Sequence, residues 1–210
     1  GVSMKAKAMI LDFNDTIDDN FEVKREALTK ILKVKREKSS IDKVLVEIDK
    51  VDLMHPDWDM EKIVATALTD VLPDMSAEKA KEIAQRYMRY RLEHARLNAT
   101  FVKAAPKLAK KFKIILLTSG NKEKIMELMQ KYGIKKYIAK FYFTKEMGMK
   151  KPSIDLLEKI IEENGIDKRK SMVVGDDIIK DHMPAKLLGM KTVLYSKFVD
   201  KVISDFGELL

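Results

Sequence analysis

Short apolar runs in this sequence stop abruptly at residues able to do chemistry. The run within residues 6–17, AKAMILDFNDTI, ends in Asp12, Asn14, Asp15 and Thr16. The run KIILLTS at 113–119 ends in Thr118 and Ser119, followed by Gly120. The run SMVV at 171–174 ends in Gly175, Asp176 and Asp177, with Asp181 five residues past Asp176. Lys150 and Lys151 stand just before Pro152 and Ser153, which read as a helix start. Carboxylates brought together from separate runs make a hard-oxygen site suited to Mg²⁺. A hydroxyl beside backbone amides at a helix start, together with a lysine, suits a phosphate group. Carboxylate, Mg²⁺, lysine and amides are the parts needed for phosphoryl transfer. Each residue also has a plainer reading. Acidic residues at strand ends often cap helices, Lys151 fits a surface lysine on a lysine-rich chain, and Thr118 fits an ordinary cap. Their occurrence in order, on successive runs, is what favours a site.

The elements that must position these groups are legible from periodicity. The 6–17 run reads as a buried parallel strand. Between about 20 and 100 no comparable strand occurs. Ala27, Leu28, Ile31 and Leu32 repeat with helical period, as do Ile41, Val44, Leu45 and Ile48, and then Ile63, Val64, Ala67, Leu68 and Val71. Pro73, Asp74 and Ser76 make a break and a cap before a helix with Ala80, Ile83, Ala84 and Tyr87 on one face. About four helices are predicted there. After residue 100 strands alternate with helices. The strand at 113–119 leads to a helix capped by Asn121, carrying Ile125, Leu128, Met129 and Tyr132 and stopping at Gly133. A short strand spans 141–144. A helix with Leu156, Leu157, Ile160 and Ile161 closes at Gly165, and the strand at 171–174 follows. A further helix ends near Gly189, and the last strand spans 191–195. This alternation predicts a parallel sheet of βαβ units. The expected fold is α/β, with a Rossmann-like three-layer core in residues 1–17 and 100–210 and an inserted α-helical cap domain in 18–99. Ligands of open parallel sheets lie beyond the carboxyl ends of the strands. An insert leaving from that edge is placed to roof the site.

Composition narrows the function class. The chain has 210 residues, of which 46% are hydrophobic, so a sizeable core is available and wholesale disorder is excluded. Cysteine is absent, which removes disulfides, thiolate metal sites and cysteine nucleophiles. Net charge is +8 from 41 Lys and Arg against 33 Asp and Glu. With two Gln, five Asn and abundant Lys and Glu, the charge reads as the surface of a heat-adapted protein more than as a nucleic-acid footprint. Acidic residues interleave with the basic ones, and no nucleic-acid motif occurs. No apolar run is long enough to span a bilayer, and no charged-then-apolar leader opens the chain. Gly1, Val2 and Ser3 before Met4 read as a cloning remnant. A cytoplasmic protein is expected, monomeric or a weak homodimer, with no membrane or nucleic-acid partner.

The motifs ILDFNDTI at 10–17, IILLTSG at 114–120, KKP at 150–152 and VVGDDIIKD at 173–181, with PAKLLGMKTVLY at 184–195 behind them, resemble the haloacid dehalogenase superfamily. The likeness is to the branch with a helical cap inserted after the first strand. It spans residue 6 to the C-terminus apart from the cap. The resemblance implies a phosphatase-like hydrolase with Asp12 as the nucleophile that forms an aspartyl-phosphate. It implies that Asp12, Asp176 and the backbone carbonyl of Asn14 hold Mg²⁺, with Asp181 supporting the metal. It implies that Thr118 and the amides of Ser119 and Gly120 bind the phosphoryl oxygens. Lys151 would neutralise charge on the nucleophile and the phosphoryl group. The substrate implied is a small phosphate monoester.

One residue departs from that pattern. Phosphatases of the superfamily carry a second aspartate two positions after the nucleophile, and here that position is Asn14. An amide exchanges no proton at neutral pH, so general acid–base catalysis is lost there. Three explanations compete: an engineered Asp→Asn change, a different hydrolase chemistry such as dehalogenation or phosphonate hydrolysis, and a non-catalytic phospho-ligand sensor.

Substrate choice in the superfamily lies largely in the cap and the loop leading into it, here Asp18, Asp19, Asn20 and Phe21. The cap offers Lys24, Arg25, Arg86, Arg89, Arg91 and Arg96, each read first as decorating a solvated helix face. Trp58 and Tyr90 read as packing. His55, His94 and His182 lack metal-site spacing. His182 follows Asp181 closely enough to lie near the site, and the superfamily gives it no role. Lys33, Lys35, Arg36 and Lys38 read as a helix face.

Overall fold

The computed structural model describes residues 6–32, 38–200 and 205–209. The expected start at Met4 and the basic run at 33–36 lie outside the described residues. The chain divides into two compact units, one of residues up to 18 and from 97 onward, the other of 19–96. No helix among the described residues is long and apolar enough to cross a membrane.

The first unit is a parallel five-stranded sheet in the order β3-β2-β1-β4-β5, built from β1 (Ala8–Leu11), β2 (Lys113–Thr118), β3 (Lys140–Phe143), β4 (Met172–Gly175) and β5 (Lys191–Leu194). Register places Leu11 beside both Leu116 and Val174, so β1, β2 and β4 end together. Every residue of β1 is buried because both faces of the sheet are covered. Met9, Leu11, Ile114 and Leu116 pack on one side with Phe101, Ala105, Ile125 and Met129. Ala8, Ile10, Ile115 and Leu117 pack on the other with Leu156, Leu157, Ile160 and Ala185. These are the three layers of an α/β sandwich.

The insert carries α1 (Asn20–Leu32), α2 (Lys38–Met54), α3 (Met60–Val71) and α4 (Ala77–Glu93). Its core is its own: Leu28, Val44, Ile48, Val64, Leu68, Ala84 and Tyr87 cluster together. Asp59 caps α3 by accepting from the Lys62 N–H, and Ser76 caps α4 by accepting from the Lys79 N–H. Asp18 and Leu97 form an antiparallel bridge, and the Asn98 N–H bonds the Ile17 carbonyl at 2.8 Å. Leu97, Asn98 and Ala99 therefore stand with the sheet unit rather than with the insert.

Two helices were not foreseen. Alpha-helix α5 (Ala99–Lys111) precedes β2 and contains Pro106. Proline in a helix interior lacks a donor and reads as a break. Here the Asn98 cap at one end and the burial of Phe101 and Ala105 hold the segment helical. The remaining helices fall where periodicity predicts them: α6 (Lys122–Lys131), α8 (Ile154–Glu163) and α9 (Met183–Leu187). The second unforeseen helix, the short α7 (Thr144–Met147), begins at Thr144, one residue inside the expected third strand.

Candidate active site

The order of the sheet reverses between β1 and β4, and the crevice at such a switch point is where open α/β sheets take ligands. Asp12 follows β1 and Asp176 follows β4. The Asp12 N–H bonds the Val174 carbonyl at 3.0 Å, which extends the ladder to Asp12. After Asp12 the chain turns: Asp15 takes a positive φ of 57°, and its N–H bonds Asp18 Oδ1 at 2.7 Å. A short polar side chain is among the residue types that tolerate that conformation. Asn14 is exposed in this turn.

Lys151 is the hinge of the charge arrangement. Its Nζ lies 2.8 Å from Asp12 Oδ1 and 3.0 Å from Asp181 Oδ1. Its side chain is 8% exposed, that of Asp12 14% and that of Asp181 4%, so these are pairs in a desolvated pocket. Lys150, its neighbour, is exposed. The Ser153 hydroxyl caps α8 by accepting from the Leu156 N–H, and this fixed helix start follows Lys151 by two residues.

After β4, Asp177 accepts from the N–H groups of Ile179 and Lys180 and opens a π turn at Ile178–His182. That turn carries Asp181 inward, where its Oδ2 accepts from the Asp177 N–H at 3.2 Å. Asp181 packs so close to Gly175 that a Cβ there would lie 2.2 Å from Asp181 Oδ2. Glycine is required by that approach. Oxygens of Asp12, Asp176 and Asp181 all lie within 4.8 Å of one another.

Three carboxylates around one ammonium leave excess negative charge. Burial pushes the Asp176 carboxyl up to about 8, reinforced by its hydrogen bond to Asp12 and the charges of Asp12, Asp15 and Asp181. Asp181 is raised as well, first by burial and then by Asp12, with Lys151 opposing. Burial disfavours the charged form of Lys151, but Asp12 and Asp181 together outweigh it and hold the ammonium above its ordinary range. A site that must take up a proton to settle its charge is one that a divalent cation fits. The donor set is all hard oxygen, which suits Mg²⁺.

Thr118 is 1% exposed at the end of β2, and its Oγ1 accepts from the Gly120 N–H at 3.0 Å. It acts as a local cap in this structure, and its own O–H proton remains to be donated. Ser119 is exposed, and its Oγ accepts from the Thr144 hydroxyl at 3.1 Å. Thr16, which is buried and donates to Asp176 Oδ1 at 3.5 Å, stands among the residues named at the end of the first run, but sequence reasoning gave it no role. The same reasoning gave Asp177 and His182 no part. A hydroxyl four residues after Asp12 was the available signal for Thr16.

Within the insert, Arg96 makes a two-pronged pair with Glu26 at 3.0 and 2.7 Å and also faces Asp19. Arg91 donates to Asn20 Oδ1 at 2.8 Å. Lys24, Arg25 and Arg86 pair with Asp49, Asp42 and Glu82, while Arg89 is exposed. Trp58 stacks on His55, and Tyr90 stacks on His94.

Comparison with known proteins agrees with this layout. A glyceraldehyde 3-phosphate phosphatase of Methanocaldococcus jannaschii is 29% identical over 98 residues, which are 46% of this chain and 43% of that protein. The chain thus aligns with under half the length of that relative. A magnesium-bound HAD-hydrolase of Bacillus subtilis superposes with a TM-score of 0.74 at 16% identity, over 98% of this chain and 97% of that one. The L-2-haloacid dehalogenase of Xanthobacter autotrophicus gives 0.64 at 16% identity, over 93% and 79%. The sequence pattern of the haloacid dehalogenase-like hydrolases runs from residue 9 to residue 195, from the first buried strand to the last. With the parallel sheet and its carboxylate-lined switch point, that match places this chain in the family of haloacid dehalogenase-like hydrolases.

Proposed function

We propose that the chain is a Mg²⁺-dependent phosphohydrolase acting on a small phosphate monoester through a phosphoryl group carried by Asp12. The observation that carries this reading is the Lys151 ammonium bridging Asp12 and Asp181 where β1 and β4 end. A carboxylate that attacks a phosphate dianion needs cationic charge beside it, and Lys151 stands 2.8 Å from the attacking group. The phosphatase named for glyceraldehyde 3-phosphate supports a small monoester as substrate.

Asp12, Asp176, Asp181 and the backbone carbonyl of Asn14 would hold the Mg²⁺. Bound there, the ion supplies neutralisation of the charge that develops on the phosphoryl oxygens. An Asp12 oxygen attacks phosphorus while the ester P–O bond breaks and its electron pair leaves on the ester oxygen. The Thr118 hydroxyl and the Ser119 N–H orient the phosphoryl oxygens, and the Gly120 N–H exchanges Thr118 Oγ1 for one of them. Water then attacks phosphorus, the bond to Asp12 breaks, and orthophosphate and the free carboxylate result.

The departing alkoxide requires a proton that Asn14 does not hold. Its absence lowers turnover of alkyl phosphates by about 10²–10⁴-fold. Aryl and acyl phosphates, whose leaving groups need no proton, suffer least. Hydrolysis of p-nitrophenyl phosphate and an alkyl panel that includes glyceraldehyde 3-phosphate, with Mg²⁺ or EDTA, tests this. Asn14→Asp should raise alkyl rates by about 10²–10⁴-fold and aryl rates far less, with EDTA abolishing both. Equal alkyl rates in the two proteins would sink the acid–base account. Asn14 also favours a second reading, a phospho-ligand sensor. Saturable ligand binding without turnover, even after Asn14→Asp, is its signature.

A further inference from the structure

His182 is buried, 8% exposed, directly after Asp181 in the chain. Its Nε2 lies 2.9 Å from the carbonyl oxygen of Gly175. A carbonyl only accepts, so Nε2 carries the proton in this bond. The same oxygen accepts from the Tyr195 N–H at 3.0 Å. Two donors therefore clamp one carbonyl. The Tyr195 ring reaches further, because its hydroxyl accepts from Asn98 Nδ2.

The clamped carbonyl belongs to the peptide that joins Gly175 to Asp176. That unit is planar, so fixing its oxygen fixes the nitrogen and Cα of Asp176. On its other side Gly175 packs against the Asp181 carboxylate, with no room for a Cβ. Both carboxylates that follow β4 are thus referenced to this one peptide. The π turn makes the arrangement possible. The Asp177 carbonyl accepts from the N–H groups of both Asp181 at 3.0 Å and His182 at 3.4 Å. Two consecutive side chains face inward as a result, Asp181 toward Lys151 and His182 toward Gly175.

We infer that His182 is a positioning residue that sets the place of Asp176 and Asp181 through the Gly175 carbonyl, and so tunes affinity for a divalent cation. The inference rests on the proposal that these carboxylates hold Mg²⁺. It adds that this chain's own histidine orients them without touching the ion. Groups that orient metal ligands typically govern affinity by about 10- to 100-fold.

The test is Mg²⁺ titration of the full chain by calorimetry, beside thermal unfolding of each protein. His182→Met keeps side-chain bulk and removes the donor. His182→Gln keeps an N–H near the position of Nε2. His182→Met should weaken Mg²⁺ binding by about tenfold or more, and His182→Gln should recover most of that loss. A His182→Met protein that binds Mg²⁺ as the parent does overturns the inference. So does a His182→Gln protein weakened as much as His182→Met, since packing rather than the bond would then matter. If His182→Met does not fold, His182→Gln decides alone: parent-like affinity supports the bond, and a tenfold loss refutes it. A parent protein that binds no Mg²⁺ refutes the metal reading, and this inference falls with it.

Discussion

Burial, reinforced by Asp12, Asp15 and Asp181 beside it, raises the Asp176 carboxyl to about 8 against an ordinary 3.8. A carboxyl raised on folding binds its proton more tightly in the folded state. Its contribution to stability is therefore complete below the ordinary value and is lost as pH rises through about 8. Asp181, raised by the same burial, acts in the same direction. In EDTA the unfolding midpoint should fall as pH is raised from about 5 to about 8, and Asp176→Asn should remove much of that slope. Mg²⁺ should reverse the fall, because a cation that takes the place of the proton binds more tightly as the proton leaves. A midpoint that is flat across this range in EDTA would contradict the charge imbalance. Asn14 lies exposed in the turn, and its side chain is not one of the carboxylate trio.

Helix α8 shows how an element serves the site without entering it. Its apolar face, Leu156, Leu157, Ile160 and Ile161, is buried against Ala8, Ile10, Ile115 and Leu117 of β1 and β2. Asp12 follows β1, and Lys151 lies three residues before α8 begins. Packing of this face therefore anchors the segment that brings Lys151 to Asp12. Ile160 has no exposed surface, so Ile160→Ala leaves a cavity and should cost about 2–5 kcal/mol in denaturant unfolding. A cost under about 1 kcal/mol would mean that the face is less closely packed than its burial indicates. The π turn after β4 is a second such element. Its extra residue per turn lets Asp181 and His182 both face inward.

For the molecule as a whole, the chain builds two cores, one on the sheet and one inside the insert, joined through the paired segments at Asp18 and Leu97. Asp12, Asp176, Asp181 and Lys151 all belong to the sheet unit. Loss of packing within the insert should therefore lower stability and spare the carboxylate cluster. Leu68→Ala removes a side chain with no exposed surface from the insert core and should cost about 2–5 kcal/mol. Its Mg²⁺ affinity should stay within about twofold of the parent's, as expected for sites with no shared partners. A tenfold loss of affinity would show that the two cores are energetically coupled.

The sequence by itself determined the alternation of strands and helices, the helical nature of the insert, and the order of Asp12, Thr118, Lys151 and Asp176 along the chain. Those features are local: strand and helix periods are written in neighbouring residues, and Asn121 and Ser153 cap the helices they precede. Helix α5 carries Pro106, a local helix-breaking signal that burial of Phe101 and Ala105 overrides. The family resemblance singles out Lys151 of the pair at 150 and 151, but only the tertiary structure brings it to Asp12. The Lys151 bond to Asp12 spans 139 residues of sequence, and no local pattern encodes such a distance. The same holds for the need for glycine at 175, set by the approach of Asp181, and for the part played by His182. Its ring bonds a backbone carbonyl, a group present in nearly every peptide and therefore invisible in the order of the side chains.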